Sequence, residues 1–460
     1  MRTAAEVSRL VRLIAVCGFV AGSAPETGAQ AQQPDIPPVR PLGPILAATK
    51  DSLKSVTAIR VLSDGRVLVN DRTASRVLLF DAALGHPIVV ADTTGETAKA
   101  YGKQGAAIFP FHGDSSLFAD FASLSMLVVD PSGKLGRVIA APRAPGPVWL
   151  NNPSYSATMD EAGDLVSRWA AGTASGRVGG VGIGARGGGT PPTPDPTPVR
   201  TTDSAYILRI NIESKQTDTL AWLMNPTQYM YEWIGPAGGL RRSSLRDPLP
   251  TQDAWTLMPD GTVAVVREHD YHIDWIAPDH SVTSSPKIAH VWVHLSDSAR
   301  TAIMDSTRRA DSLSSAHFQG MVDSLALAAR KAGRKVDTTS GGQLIQIQTA
   351  EGTTINYAIG SAGGTQQRYM DPGDLTDYLP PFDGGAGSVR ADADGNVWIL
   401  AKRATPPQSG AVYDVVNRQG KLVDRVQLPG GTTLVGFGKG VAYLTSREGA
   451  GLQLARARIH

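Results

Sequence analysis

The 460-residue chain contains a single cysteine, Cys17. No disulfide can tie the chain to itself, so the fold rests on core packing or on closure of one end against the other. Basic and acidic residues nearly cancel, 44 against 42, for a formal charge of +2. That balance carries no electrostatic footprint for nucleic acid and no pull toward an anionic membrane surface. Beyond Ala24 no apolar run approaches the ~20 residues that a bilayer-spanning helix needs. There is no Gly-x-Ser-x-Gly elbow to present a nucleophilic serine, and no His-Glu-x-x-His to set two zinc ligands on one helical face. What the chain has in quantity is glycine, 49 residues, and proline, 31, the residues that punctuate strands with turns.

Residues 1–31 read as a secretory signal peptide. Arg2, Arg9 and Arg12 give a basic start, Leu13 to Ala24 is apolar apart from Gly18, Gly22 and Ser23, and Ala29-Gln30-Ala31 is a small-x-small cleavage site. Cleavage there starts the mature chain at Gln32, in the periplasm or outside the cell, with residues 32–42 as a linker. A lipoprotein anchored through Cys17 is the minor alternative, and Val16 before it is large for that processing. Removing three arginines and two glutamates leaves 429 residues at a formal charge of +1.

One phrase recurs four times in the rest. It is written Ile59 to Val69 around Asp64-Gly65, Ala157 to Val166 around Gly163, Trp255 to Val265 around Asp260-Gly261, and Val389 to Ile399 around Asp394-Gly395. Each copy is a strand, a glycine turn and a second strand. Two and four residues past the glycine stand Val67 and Val69, Leu165 and Ser167, Val263 and Val265, Val397 and Ile399. That alternation makes one face of the second strand apolar in three copies. Further hairpins follow, such as Arg76 to Val90 and Val412 to Val423. Two successive hairpins make the four-stranded antiparallel blade of a β-propeller. The pattern predicts an all-β, six-bladed propeller over 43–460, with blades near 56–95, 107–142, 153–224, 252–295 and 386–429 and a sixth from Thr432. The second blade shows no clear glycine turn, and Leu117 to Asp120 is its candidate second strand. The sixth shows three strands; the missing outer one is expected from Pro44 to Ala48, pairing with Leu452 to Ile459.

Two insertions break the repeat. Residues 171–203 form a Gly/Pro-rich loop, with nine glycines and five prolines between Gly172 and Pro198, a composition that cannot build a core. Residues 296–385 read as helical, then irregular. Phe318, Met321, Val322, Leu325 and Ala329 share one helical face, and Leu344 to Gln348 and Thr354 to Ile359 make a strand pair. Such insertions are where specificity sits on a rigid scaffold.

Candidate chemistry is sparse. Gly182-Ile183-Gly184-Ala185-Arg186-Gly187 spells a dinucleotide fingerprint, but glycine precedes it and a proline run follows, where a strand and a helix are required. Asp392-Ala393-Asp394-Gly395-Asn396 opens like a calcium loop, yet its twelfth position is Arg403 instead of glutamate. His269 with His272, and His290 with His294, are spaced three and four apart. In strands those spacings place the rings on opposite faces or about 13 Å apart, so structural or surface roles are expected. The positional clue lies on the innermost strands. Five residues before each turn glycine stand Arg60, Thr158, Thr256 and Arg390. Arg60 and Arg390 are therefore the candidate ligand-binding residues, their guanidinium groups suited to a carboxylate in the channel. The competing reading pairs both with acidic neighbours between blades.

The repeated Asp-Gly turns and the Phe80-Asp81 and Tyr413-Asp414 strands resemble six-bladed propellers of the NHL-repeat and TolB-like kind. That resemblance covers nearly all of the mature chain. It implies a scaffold that binds partners, as TolB-like propellers do. Within the same superfold, the regucalcin and gluconolactonase group holds a metal at the channel, and Asn70-Asp71 is the nearest echo of its ligands. The favoured expectation is an exported, non-catalytic, monomeric propeller binding a protein, peptide or glycan, with no cofactor and no metal. The rival is a metal-dependent propeller enzyme, a lactonase or lyase, with its site at the central channel.

Overall fold

The computed structural model describes residues 36–93, 101, 105–120, 125–142, 157–160, 162–170, 197–199, 204–226, 228–234, 240–331, 336–338, 344–348, 354–358, 368–385, 387–403, 410–449 and 451–460. The proposed signal peptide, most of the Gly/Pro-rich loop and the fingerprint-like Gly182 to Gly187 lie outside them.

The chain forms a six-bladed β-propeller. Blade one runs outward through Val56–Val61, Val67–Asp71, Arg76–Phe80 and Ile88–Ala91. Blade two follows with Gly105–Pro110, Ser116–Asp120, Ser125–Val129 and Leu135–Ala140, and blade three with Ala157–Met159, Leu165–Ala170, Ser204–Ile210 and Thr217–Met224. Blade four holds Ala254–Leu257, Val263–Arg267, His272–Ile276 and Val282–Ser284. Blade five comprises Val389–Ala391, Val397–Leu400, Val412–Val416 and Leu422–Gln427. Blade six takes three strands from the chain end, Thr432–Gly438, Val441–Glu448 and Gly451–Arg458, and its fourth from Ile45–Ala48. That last strand lies antiparallel to Gly451–Arg458, pairing Ile45 with Ala457 and Ala48 with Ala455, which is the expected closure. Val39–Pro41, within the segment read as a linker, adds a fifth strand to blade five, parallel to Leu422–Gln427. Both ends of the chain are thus stitched into two neighbouring blades, covering edges that would otherwise offer unpaired backbone.

The turns explain the repeat. In blade one Leu62 N–H donates to Arg66 O and Gly65 N–H to Leu62 O. Gly65 sits at φ 86°, and Gly395 of blade five at φ 84°, where a side chain would be strained. Blade two has the same turn: Phe111 N–H donates to Ser115 O, with Gly113 at φ 65°. The glycine here precedes its aspartate, Asp114, which hides the turn from a search for Asp-Gly.

Each boundary between neighbouring blades is filled by one apolar cluster. Val69, Phe80, Tyr443 and Leu454 fill the boundary of blades six and one, and Leu68, Leu79, Ile108 and Phe118 that of one and two. Trp398, Tyr413, Leu434 and Leu444 fill that of five and six. Burying one such side chain is worth about 1.5–3 kcal/mol, so the ring needs no disulfide.

The connections decide where a site can be. Innermost strands begin on one face, called the front here, and second strands end there. The 171–203 insertion joins the second and third strands of blade three. The 296–385 insertion joins blade four to blade five, so both leave from the front. The second holds a helix, Asp297–Lys331, and a three-stranded sheet of Val336–Thr338, Leu344–Gln348 and Thr354–Ala358, which includes the expected strand pair. The helix begins with Ser296 Oγ accepting from Ala299 N–H at 3.2 Å, a capping bond. Its first turns dock through Met304, fully buried against Leu249, Leu295, Met370, Leu375 and Leu379. The side chains of Phe318, Met321, Val322, Leu325 and Ala329 lie outside the described residues. A second small sheet, Thr197–Val199 with Gln228–Ile234 and Leu240–Ser244, was not legible in the sequence because proline dominates its first strand.

Candidate functional site

Arg60 and Arg390 occupy the same place in blades one and five, and their surroundings differ. Arg60 leaves its strand toward blade two. Its Nη1 donates to Val61 O at 2.9 Å and its Nη2 to Gly113 O at 3.1 Å. Burial lowers its pKa, and the Asp114 carboxylate in the same turn partly restores it. Asp114 is itself fixed by Ser63, whose N–H donates to it at 2.9 Å. This guanidinium ties blade one to blade two.

Arg390 leaves its strand toward blade six. It pairs across the sheet with Trp398, so the two side chains share a face. Its guanidinium folds back toward the front: a β-carbon placed on Gly387 would lie 3.2 Å from Nη2. Among the described residues it makes no hydrogen bond or ion pair, and its Nε is buried without a partner. Burial pushes its pKa below the usual arginine value, and the one group pulling it back is the Tyr413 phenol. Tyr413 stands at the front end of the third strand, 5% exposed. Burial raises its pKa and the Arg390 cation opposes the shift. Its ring packs near Trp398, centroids 6.0 Å apart, and Trp398 lies 4.9 Å from Phe437. Sequence position alone singled out Arg390; nothing in the spacing singled out Tyr413.

A second polar group lies on the other side of blade five, also at the front. Glu268, just past the second strand of blade four, is 2% exposed. Its Oε2 accepts from Gln252 N–H, while Oε1 is buried with no partner. Burial pushes its carboxyl pKa up to about 8; the Gln252 N–H and Lys402 pull it down, and Asp253 and Asp383 push it further up. Lys402 is already committed, its Nζ 2.6 Å from Asp383 Oδ1 and donating to Pro248 O at 3.3 Å. Asp247, whose pKa is also raised by burial, accepts from Leu249 N–H at 2.8 Å. Lys402 thus joins the connection between blades three and four, at Pro248, to the chain returning from the second insertion, at Asp383. Sequence reasoning missed this group because its members come from four separate connections.

The remaining candidates serve the fold. Asp392 Oδ1 accepts from Asp394 N–H and Asn396 N–H, and Oδ2 from Asn396 Nδ2 and Trp398 Nε1, so its oxygens are used by the turn. Asp71 accepts from Lys54 N–H and Ser55 N–H and pairs with Arg76 at 3.0 Å. Asn70 Oδ1 accepts from the Tyr101 hydroxyl at 2.8 Å. His272 sits between Asp270, 2.6 Å from Nδ1, and Asp274, 3.2 Å from Nε2, while His269 is exposed. His290 packs on the edge of Tyr271 and burial lowers its pKa; His294 packs on Tyr378. Among the described residues no three His, Cys, Asp or Glu side chains converge as a metal site would require.

No protein-family model and no curated protein matches the sequence. Among solved structures, the chain is similar to regucalcin, a calcium-binding protein from Agrobacterium tumefaciens, at 11% identity over 92% of this chain and 98% of that one, TM-score 0.36. It is similar to a gluconolactonase from Xanthomonas campestris at 11% identity, covering 91% and 99%, TM-score 0.32. It is also similar to virginiamycin B lyase from Staphylococcus aureus at 12% identity, covering 91% and 99%, TM-score 0.30. These likenesses are remote, and the propeller assignment stands on the strand pairing itself. No helix among the described residues is long and apolar enough to cross a membrane.

Proposed function

We propose that this is an exported, non-catalytic propeller that binds a carboxylate-bearing peptide or glycan at the front of its central channel. The observation that supports this reading is the unpaired guanidinium of Arg390. That guanidinium is half-buried, its Nε enclosed and its Nη groups within reach of solvent, and no described residue answers it. A carboxylate answering it in a two-point bond returns about 1.5–3 kcal/mol per charged hydrogen bond. Arg60, the other sequence candidate, already has Gly113 O and Val61 O as acceptors, so Arg390 carries the binding. The front face also bears both insertions, which would supply the walls of a recognition surface.

The test is a binding comparison between peptides with free and amidated C-termini, alongside uronate-bearing and neutral oligosaccharides. Wild-type protein should retain free acids over their neutral counterparts, and Arg390→Gln should lose that preference while melting as wild type does. Equal retention of acids and amides, or an unchanged preference in the variant, would overturn the reading.

One observation favours the enzyme alternative. A buried Glu268 carboxyl that keeps its proton to about pH 8 has the protonation state of a general acid at neutral pH. If that alternative holds, Glu268→Gln removes turnover and leaves binding intact.

A further inference from the structure

Independently of the Arg390 reading, we propose that Glu268 is a proton-operated latch at the front of blade four. It holds the chain returning from the second insertion against the connection between blades three and four, and releases it when the carboxyl ionises. The two oxygens of Glu268, a residue 2% exposed, have unequal surroundings. Oε2 accepts from Gln252 N–H, a bond that serves either protonation state, while Oε1 is buried with no partner among the described residues. A neutral carboxyl tolerates such a place; an ionised one must draw in water or a cation.

Gln252, which Glu268 holds, lies in the connection between blades three and four, and the returning chain presses on it. A β-carbon placed on Gly384 would overlap Gln252 Cγ and stand 2.6 Å from the Gln252 carbonyl oxygen, an approach that only glycine permits. The residues beside Gly384 are tied to Lys402. Asp383 Oδ1 lies 2.6 Å from Lys402 Nζ, and Pro381 O accepts from Lys402 N–H at 3.0 Å. Glu268, Gln252, Gly384 and Lys402 thus form one continuous line of contacts across the front. Water reaches Oε1 when the two chain segments in the middle of that line part.

The charged neighbours favour parting over neutralisation in place. Asp253, from the connection between blades three and four, accepts from Glu268 N–H at 3.4 Å and pairs with Arg267 at 2.7 Å; Arg267 also pairs with Asp274. Asp247, from the same connection, and Asp383, from the returning chain, both face Lys402, which Asp383 and Pro248 O already hold. His269, next in the chain, is exposed. Both nearby cations therefore have carboxylates of their own. Burial, with Asp253 and Asp383 adding to it, keeps the proton on Glu268 to about pH 8 in the closed state, against ~4.3 for a solvated glutamate. The closed state alone binds the proton between those values, so opening grows as pH rises through that window and levels off above it.

The experiment is hydrogen exchange of the full chain at pH 6 and pH 8.5, corrected for the intrinsic pH dependence of exchange. It is read at two amides that span the latch: Gln252 N–H, held by Glu268, and Lys402 N–H, held by Pro381 O. In wild type, opening at both should rise at least about tenfold over that interval, while the strand amides of blade two stay level. Glu268→Gln should show no rise. Asp383→Asn removes a like charge and frees Lys402 to answer the carboxylate, so its rise should be smaller than that of wild type. A flat wild type, an equal rise in Glu268→Gln, or a rise shared by blade two would overturn the latch. If Glu268→Gln does not fold, an undiminished rise in Asp383→Asn overturns it instead.

Discussion

Blade one and blade five are built from the same phrase, and the same residue type stands at the same place in each. Arg60 is held by a carbonyl of the next blade, with Asp114 close by; Arg390 has no acceptor among the described residues. The contrast recurs one position away. Asp71, at the end of the second strand of blade one, has both oxygens engaged. Glu268, in blade four one residue past the position that matches Asp71, reaches the backbone with one oxygen and leaves the other without a partner among the described residues. A repeat protein solves its packing problem once and copies the solution. Where a copy keeps the residue and drops its partner, something other than packing accounts for the residue. Both departures flank blade five, at the face where the insertions attach.

The largest test breaks the ring on which the comparison depends. Deleting residues 39–48 removes the outer strand of blade six and the added strand of blade five. Loss of a cooperative unfolding transition, or aggregation, is expected by calorimetry. A deletion variant that melts like its parent would mean that closure does not hold the two arginines in register.

Next comes the carboxylate pair. Asp71→Asn should lower stability by about 2–3 kcal/mol in urea unfolding, because it weakens two backbone bonds and the Arg76 pair together. Glu268→Gln should show itself instead in the pH dependence of stability. The Glu268 carboxyl titrates at about 8 in the folded protein and near ~4.3 in an unfolded chain. The folded state therefore binds the extra proton between those values, and wild type loses stability relative to the variant as pH rises through that window. The slope is at most ~1.4 kcal/mol per pH unit, and it levels off above pH 8. A parallel pH dependence in wild type and Glu268→Gln would contradict the buried, protonated carboxyl.

A smaller effect sharpens the arginine comparison. Arg60→Gln should lower stability by ~1 kcal/mol through its bond to Gly113 O. Arg390→Gln should leave stability unchanged, since no hydrogen bond or ion pair to a described residue is lost. Equal losses in the two variants would erase the distinction.

The sequence carried the fold well because its turns are local. A glycine turn at four places, three of them Asp-Gly, with further hairpins after each, is enough to lay out the blades, and the unpaired sixth blade pointed to Pro44–Ala48. The turn of blade two was obscured by the order Gly113-Asp114, and Val39–Pro41 was too short to register as a strand. The site was only half legible. The repeat placed Arg60 and Arg390 on innermost strands, but what distinguishes them depends on a carbonyl 53 residues further on. Glu268 carried no signal, because the isolation of its Oε1 is set by how distant connections pack around it.

The most direct measurement of the central claim is the ligand-induced shift in thermal unfolding for three proteins: wild type, Arg60→Gln and Arg390→Gln. A ligand that binds only the folded state stabilises it by about 2.7 kcal/mol at a hundredfold excess over its dissociation constant. With a free-acid peptide or uronate-bearing oligosaccharide that wild type retains as the ligand, wild type and Arg60→Gln should both shift upward by several degrees, and Arg390→Gln should not shift. An equal shift in Arg390→Gln, or a shift abolished by Arg60→Gln alone, would contradict the account.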